Sequence, residues 1–318
     1  MKISKSLSVV PYLFIVFLIS VYSLANATEL PGPLVSTDWL AKNRDNVSVL
    51  EVRKDTKSFT QQTSGGNVYG HIPGSVLVPR PAFSITKKGA LHGELPSKES
   101  FEQLMQKSGV NQDSLIVVSD RGSNFKEVGF GTRLYWTLKY FGHDNVALLD
   151  GGTAKWAAEK RKVAYDASAP NPGNWKAQGE RKEILASLQD VEKTVSQKGQ
   201  IVDGLPEAFY LGLKLKKGVV AKPGHIAGAK SLPVGVLVDG GPKGATFYPA
   251  EKLKKVVSAL GIDDSKPVTT HCNTGHIASL TWFALSELLG NKKAKLYDGS
   301  MEEWSKTKGH PVSTFVME

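Results

Sequence analysis

The chain has 318 residues, with 40 Lys and Arg against 30 Asp and Glu, a formal net charge of +10 and 41% hydrophobic residues. That length accommodates two domains, each with its own core, and the ordinary hydrophobic content argues against wholesale disorder. A single cysteine excludes an internal disulfide, a zinc ribbon and a four-thiolate iron–sulfur cluster, and the scattered basic residues read as solubility and mild attraction for small anions, not as a nucleic-acid footprint.

The amino terminus reads as an address. Lys2 and Lys5 precede an apolar run from Val9 to Leu24, interrupted by Pro11, and Ala25-Asn26-Ala27 offers a small-x-small cleavage site. The run is shorter than the ~20 residues of a spanning helix, so residues 1–27 are expected to be a cleaved signal peptide. A periplasmic or secreted protein, free of the membrane after cleavage, is the expectation.

Along the remaining chain, residues 47–52 and 115–119 are short β-branched and aliphatic runs suited to buried parallel strands. Residues 127–140 have helical apolar spacing, and Asp150-Gly151-Gly152 is a turn. Residues 167–178, with Pro170, Pro172 and Gly173, lack periodicity and suggest a linker over 167–180. The same series then recurs. Gly70-His71-Ile72-Pro73-Gly74 returns 154 positions later as Gly224-His225-Ile226-Ala227-Gly228, and Asp150 and Trp156 return 148 later as Asp298 and Trp304. Glu51 and the strand 114–120 return 152 later as Asp203 and the segment 266–272. Four landmarks in one order predict two copies of one α/β domain, over 28–166 and 181–318, each a mainly parallel sheet with helices on both faces.

The chemistry concentrates at Cys272. Residues 267–271 should form a strand and 277–289 a helix, with Cys272-Asn273-Thr274-Gly275-His276 between them. A loop from a strand's carboxyl end to a helix amino terminus is where open α/β sheets bind ligands, and its amides with the helix dipole can cradle an anion and activate a thiolate. The first copy has Asp120 at the equivalent position and so no nucleophile. His271 and Cys272 would lie on opposite faces of a strand, which disfavours a shared metal. An arginine six residues after the cysteine, as phosphate chemistry would need, is absent because position 278 is Ala278. The repetition of His71 as His225 favours a structural role, and Lys214 to Lys217 read as a solvated loop whose charge can help attract anionic donors.

Taken together, Gly70-His71-Ile72-Pro73-Gly74, Leu149-Asp150-Gly151-Gly152 with Trp156, Cys272-Asn273-Thr274-Gly275, and Tyr297-Asp298-Gly299-Ser300 with Trp304 resemble a tandem-domain rhodanese over essentially the whole chain after the leader. The resemblance implies two rhodanese-like domains with only the second catalytic, and a sulfane sulfur carried as a persulfide on Cys272. It implies a small anionic sulfur donor such as thiosulfate, a thiol or cyanide acceptor, and no metal or organic cofactor. Nucleic acid is not an expected partner, and a monomer is expected. Substrate contacts would come from Asn273, Thr274, Gly275, His276, Ile277 and Ala278, with His71 bordering the inter-domain cleft. The alternative is a non-enzymatic carrier holding sulfur, selenium or a metal on Cys272. The arginines that family members often carry after the first strand's Asp are missing here, where Asp203-Gly204-Leu205-Pro206 stands. His276 then becomes the one ionisable loop side chain able to offer positive charge, which predicts a bell-shaped pH profile for donor attack.

Overall fold

The computed structural model describes residues 28–62, 70–167, 169–241 and 243–315, so the leader-like segment lies outside the described residues. The first half runs β1 (Leu34–Val35), α1 (Thr37–Asn43), β2 (Ser48–Arg53), α2 (Lys57–Thr60), β3 (Val76–Pro79), β4 (Ile85–Thr86), β5 (His92–Glu94), α3 (Lys98–Lys107), β6 (Ile116–Ser119), α4 (Phe125–Tyr140), β7 (Val146–Leu149) and α5 (Gly152–Ala158). The second runs β8 (Leu185–Ala186), α6 (Leu188–Ser196), β9 (Gln200–Asp203), α7 (Glu207–Tyr210), β10 (His225–Ile226), β11 (Lys230–Ser231), β12 (Val238–Asp239), β13 (Thr246–Phe247), α8 (Ala250–Ala259), β14 (Val268–His271), α9 (Ala278–Phe283), β15 (Ala294–Tyr297), α10 (Ser300–Lys306) and β16 (Val312–Ser313).

Among the described residues, each half contains a five-stranded sheet. The orders are β1-β7-β6-β2-β3 and β8-β15-β14-β9-β11, the same path followed twice, with every neighbour parallel. The strands are short apolar runs because parallel sheets are covered on both faces. In the first half, Val49, Val117, Ala147 and Leu149 pack with Leu40 of α1 and Trp156 of α5 on one face. Their neighbours Leu50, Val118 and Leu148 pack with Phe101 and Met105 of α3 and Leu134 of α4 on the other. The period-2 alternation of strand side chains thus places helices on both faces.

Side-chain caps start several helices: the Ser36 hydroxyl accepts from the Trp39 amide at 3.1 Å, and Ser187 with Asp190 forms a reciprocal capping box on α6. The expected helix over 277–289 is α9 continued by a π-helical stretch, Ala284–Leu288. Helix α4 is buried nearly all round, because it packs on its own sheet and on α9 of the other half. Thr132 and Ser279 share a hydroxyl–hydroxyl bond of 2.9 Å across that contact, and the Tyr135 and Phe283 rings meet edge to face at 4.9 Å. Between the halves, residues 173–177 lie along the first one: Trp175 is buried there, its amide donating to the Val110 carbonyl at 3.1 Å and its indole N–H to His143 Nδ1 at 3.1 Å. No helix among the described residues is long and apolar enough to cross a membrane.

Candidate active site

The loop after β14 is built around its own backbone. Ser300 Oγ accepts from the amides of Cys272 at 3.1 Å and Gly275 at 2.9 Å, and donates to the Tyr297 carbonyl at 2.9 Å. Met301 and Glu302 amides donate to the Cys272 and Asn273 carbonyls at 3.0 and 2.9 Å. Ser300 is buried in the left-handed region at φ 51°, a conformation that its local hydrogen bonds maintain. Gly275 has φ 68°, and a Cβ there would fall on the Asp298 carboxylate, so glycine alone fits. Ser300 thereby ties down both ends of the loop. The amides of Asn273, Thr274, His276 and Ile277 bond to no acceptor among the described residues and remain available to an incoming anion.

Cys272 is 1% exposed and lies at the floor of a cleft of about 360 Å³. Both halves build it. Phe125 and Phe130 of α4 face Leu205, Pro206 and Phe209 as apolar walls, with Arg80 and Lys126 contributed by the first half and Lys216 by the second. Lys216 Nζ donates to Thr274 Oγ1 at 3.4 Å, which brings one lysine of residues 214–217 onto the loop. Arg80 sits over the Phe130 ring at 5.6 Å. The cations missing after Asp203 are therefore supplied from elsewhere in the chain.

Of the residues expected at the site, Cys272, Asn273, Thr274, His276 and Ile277 line this cleft, while Gly275 shapes the loop from behind. Two expectations are corrected. Ala278 is fully buried as the first residue of α9, so its side chain packs in the core and not on the cleft. His71 is also fully buried: its ring stacks on Phe59 at 3.8 Å and its Nδ1–H donates to the Phe59 carbonyl at 3.1 Å. His225 does the same with Tyr210, at 3.8 Å ring to ring and 2.8 Å to the carbonyl. The repeated histidine pins the short helix after the sheet's second sequential strand, α2 or α7.

His276 is also corrected as a source of charge. Both ring nitrogens are buried without a hydrogen-bond partner among the described residues, and the ring meets Phe130 edge to face at 4.8 Å. Burial, then the charges of Arg80, Arg133 and Lys216, holds its pKa well below the ordinary histidine value, leaving the imidazole neutral. Behind the loop, His271 and Asp203 face each other at 3.7 Å, both fully buried. Burial raises the Asp203 carboxyl to about 8 and lowers His271 to about 3, so both are neutral near pH 7. The His271 Nδ1–H then donates to the Cys272 carbonyl at 3.3 Å, with Nε2 toward Asp203. Among the described residues, no group of three or more His, Cys, Asp or Glu could hold a metal ion.

Sequence reasoning missed the first half's grip on the loop. Arg133 of α4, fully buried, donates to both Asp298 carboxylate oxygens at 2.6 and 3.0 Å, to the Gly93 carbonyl at 3.0 Å and to the Gly275 carbonyl at 3.4 Å. The Leu95 amide donates to Asp298 Oδ2 at 3.0 Å, and its repeat equivalent, the Phe247 amide, donates to Asp150 Oδ1 at 2.9 Å. The signal available was a lone arginine in the otherwise apolar run of α4. The silent loop differs in its buried floor: the Asp120 carboxyl, without a protein partner on Oδ1, is held well above the usual carboxylate range by burial, then by Glu127.

The Rhodanese-like domain profile matches this chain twice, over residues 36–159 and 187–307. A Saccharopolyspora erythraea protein named "Putative thiosulfate sulfurtransferase" is 30% identical over 88% of this chain and 95% of its own length. The "Sulfur carrier protein TtuD" of Thermus thermophilus is 30% identical over 89% of this chain and 97% of its own. Among solved structures, the 3-mercaptopyruvate sulfotransferase SseA of Escherichia coli superposes with a TM-score of 0.71 at 28% identity, covering 85% of this chain and 98% of that one. With the duplicated sheet order and a single thiol at the strand–loop–helix turn of the second copy, these likenesses establish that the chain belongs to the rhodanese family, with two rhodanese-like domains in tandem.

Proposed function

We propose that the protein moves a sulfane sulfur from a small anionic donor such as thiosulfate to a thiol or cyanide acceptor through a persulfide on Cys272. The observation that carries this reading is the single thiol on the floor of a two-domain cleft, ringed by unbonded loop amides and by Arg80, Lys126 and Lys216. The Cys272 thiolate attacks the donor's outer sulfur, the donor's S–S bond breaks, and the remainder leaves with the bonding pair, as sulfite when thiosulfate is the donor. The acceptor nucleophile then takes the outer sulfur and Cys272 departs as a thiolate. This is two-step covalent catalysis, with the loop amides and cations stabilising charge on sulfur. The leader-like amino terminus supports a reaction outside the cytoplasm.

A second reading, a carrier that holds sulfur on Cys272 for a dedicated partner, draws on the name of the Thermus relative. Turnover with thiosulfate and cyanide, measured beside turnover with mercaptopyruvate, separates the two. The expected result is multiple turnovers by the wild type and a gain of one sulfur on Cys272 by mass spectrometry after donor treatment. Cys272→Ser should lose both while keeping its fold. Loading without turnover would favour the carrier, and turnover by Cys272→Ser would refute both.

A further inference from the structure

The duplication supplies an internal control for the cleft. Leu50 pairs with Val118 as Val202 pairs with Thr270, and Asp120 answers to Cys272, all at a spacing of 152. At that spacing Leu205, Pro206, Asn273 and Ala278 of the second copy answer to Arg53, Lys54, Arg121 and Lys126 of the first. Three uncharged residues of the thiol's cleft, Leu205, Pro206 and Asn273, and the core residue Ala278 thus correspond to four cations around the silent loop. The silent copy keeps a hollow there, about 250 Å³, lined by those four cations. Arg53 is ion-paired with Glu51 and Arg121 with Glu127, and Asp55, also in the wall, accepts from the Ser58 amide at 2.9 Å. Among the described residues Lys54 and Lys126 have no ion-pair partner, and the buried Arg53 Nε has no hydrogen bond. Lys126 and Phe130 line both this hollow and the Cys272 cleft, so the two are neighbours across these side chains.

We propose that the hollow of the silent copy is an anion subsite that takes the distal carboxylates of an acceptor thiol whose sulfur enters the Cys272 cleft. The subsite rests on the sulfur-transfer reading above and assigns the acceptor a class: a peptide-sized thiol bearing carboxylates. The cations and loop amides of the catalytic cleft surround the sulfur that is transferred, whereas the adjoining hollow, which Cys272 does not line, offers further ammonium and guanidinium donors for the distal end of an acceptor. In the transfer step the acceptor thiolate attacks the outer sulfur of the Cys272 persulfide, the S–S bond breaks, Cys272 leaves as thiolate, and the acceptor departs as its own persulfide.

The test uses the full chain loaded with thiosulfate, and three acceptors: glutathione, 2-mercaptoethanol and cyanide. Lys54 touches the hollow but not the Cys272 cleft, so Lys54→Glu and Lys54→Met are the variants. Expected is a fall in the rate constant with glutathione of about 3- to 10-fold for Lys54→Glu, smaller for Lys54→Met, from the loss or reversal of one exposed charge contact. Rates with 2-mercaptoethanol and cyanide should stay within about 2-fold of wild type. Equal rates with glutathione in wild type and both variants would overturn the subsite. Failure of the wild type to load sulfur would refute the catalytic reading instead. In that event calorimetric titration of glutathione into Cys272→Ser, with and without Lys54→Glu, decides the subsite: binding weakened by the variant upholds it, and absent or unchanged binding overturns it.

Discussion

An imidazole set against an aromatic ring and near three cations has no reason to hold a proton at neutral pH. That is the position of His276, beside Phe130 and in the field of Arg80, Arg133 and Lys216. Its role in the cleft is that of a neutral wall, and the positive charge comes from Lys216 and Arg80. His276→Ala should therefore lower kcat/KM with thiosulfate by roughly 3- to 10-fold, the worth of one buried ring contact. Profiles of wild type and variant from pH 5 to 9 should run parallel. A loss confined to low pH would restore the imidazolium role that the sequence suggested. What sequence conveyed at this scale was local. Cys272 was legible because strand, turn and helix are contiguous around it. Arg80, Arg133 and Lys216 were not, because each comes from a segment remote in sequence, whereas the structural role that its repetition favoured for His71 agrees with its ring stacked on Phe59.

Strands β9 and β14 lie side by side, His271 registered against Asp203, and this places two ionisable groups together beneath the catalytic loop. The first copy has Glu51 and Ser119 there, with Glu51 contacted by the Arg53 guanidinium and bonded by the Ser75 hydroxyl at 3.0 Å. The second copy has no such cation, so burial keeps Asp203 protonated to about pH 8. The unfolded carboxyl ionises near its model value of 3.8, so the folded state holds the extra proton between these limits and loses stability as pH rises through them. His271 acts oppositely: its ring, held to about 3, costs stability only as pH falls below the ordinary 6.5. Between pH 6.5 and 8 the Asp203 slope stands alone within this pair. Asp203→Asn keeps the oxygen that accepts from the Leu205 amide at 2.7 Å and removes the titration. Urea titrations should show the variant gaining on wild type by about 3–4 kcal/mol from pH 5 to pH 8. A difference constant with pH would show Asp203 to be ionised throughout. The long apolar elements of the sheets were evident from sequence for the same reason that they are stable, burial on both faces. The hairpins β4–β5 and β12–β13 were not, since strands of two or three residues are too short to show alternation.

At the scale of the molecule, the silent half is a structural part of the active site. Arg133 crosses from α4 to Asp298 and the Gly275 carbonyl, and it also lies 4.8 Å from the Trp136 ring. Removing it would leave the Asp298 carboxylate without its cation in a mostly buried setting. Arg133→Met should cost roughly 3–5 kcal/mol of stability in urea and lower kcat/KM in the fraction that remains folded. Adding Asp298→Asn should recover part of the stability, since the orphaned charge is gone, but not the loop geometry. Unchanged stability in Arg133→Met would show the contact to be incidental. The duplication itself was plain in the sequence, from four landmarks at nearly constant spacing. How the copies meet was not, because no pattern within one copy encodes the face that it offers to the other.

That meeting face has a symmetry of its own. Leu95 docks on Asp298 as Phe247 docks on Asp150, and α4 lies against its own equivalent, α9. Equivalent groups contacting equivalent groups make an isologous interface, the kind that joins the subunits of a twofold homodimer. The chain is geometrically such a dimer sewn end to end, and the seam changes what mutation can reach. In a true homodimer every substitution strikes both clefts at once. Here one cleft could exchange its thiol for Asp120 and its uncharged rim for cations, while the other kept Cys272 and went on leaning on its twin.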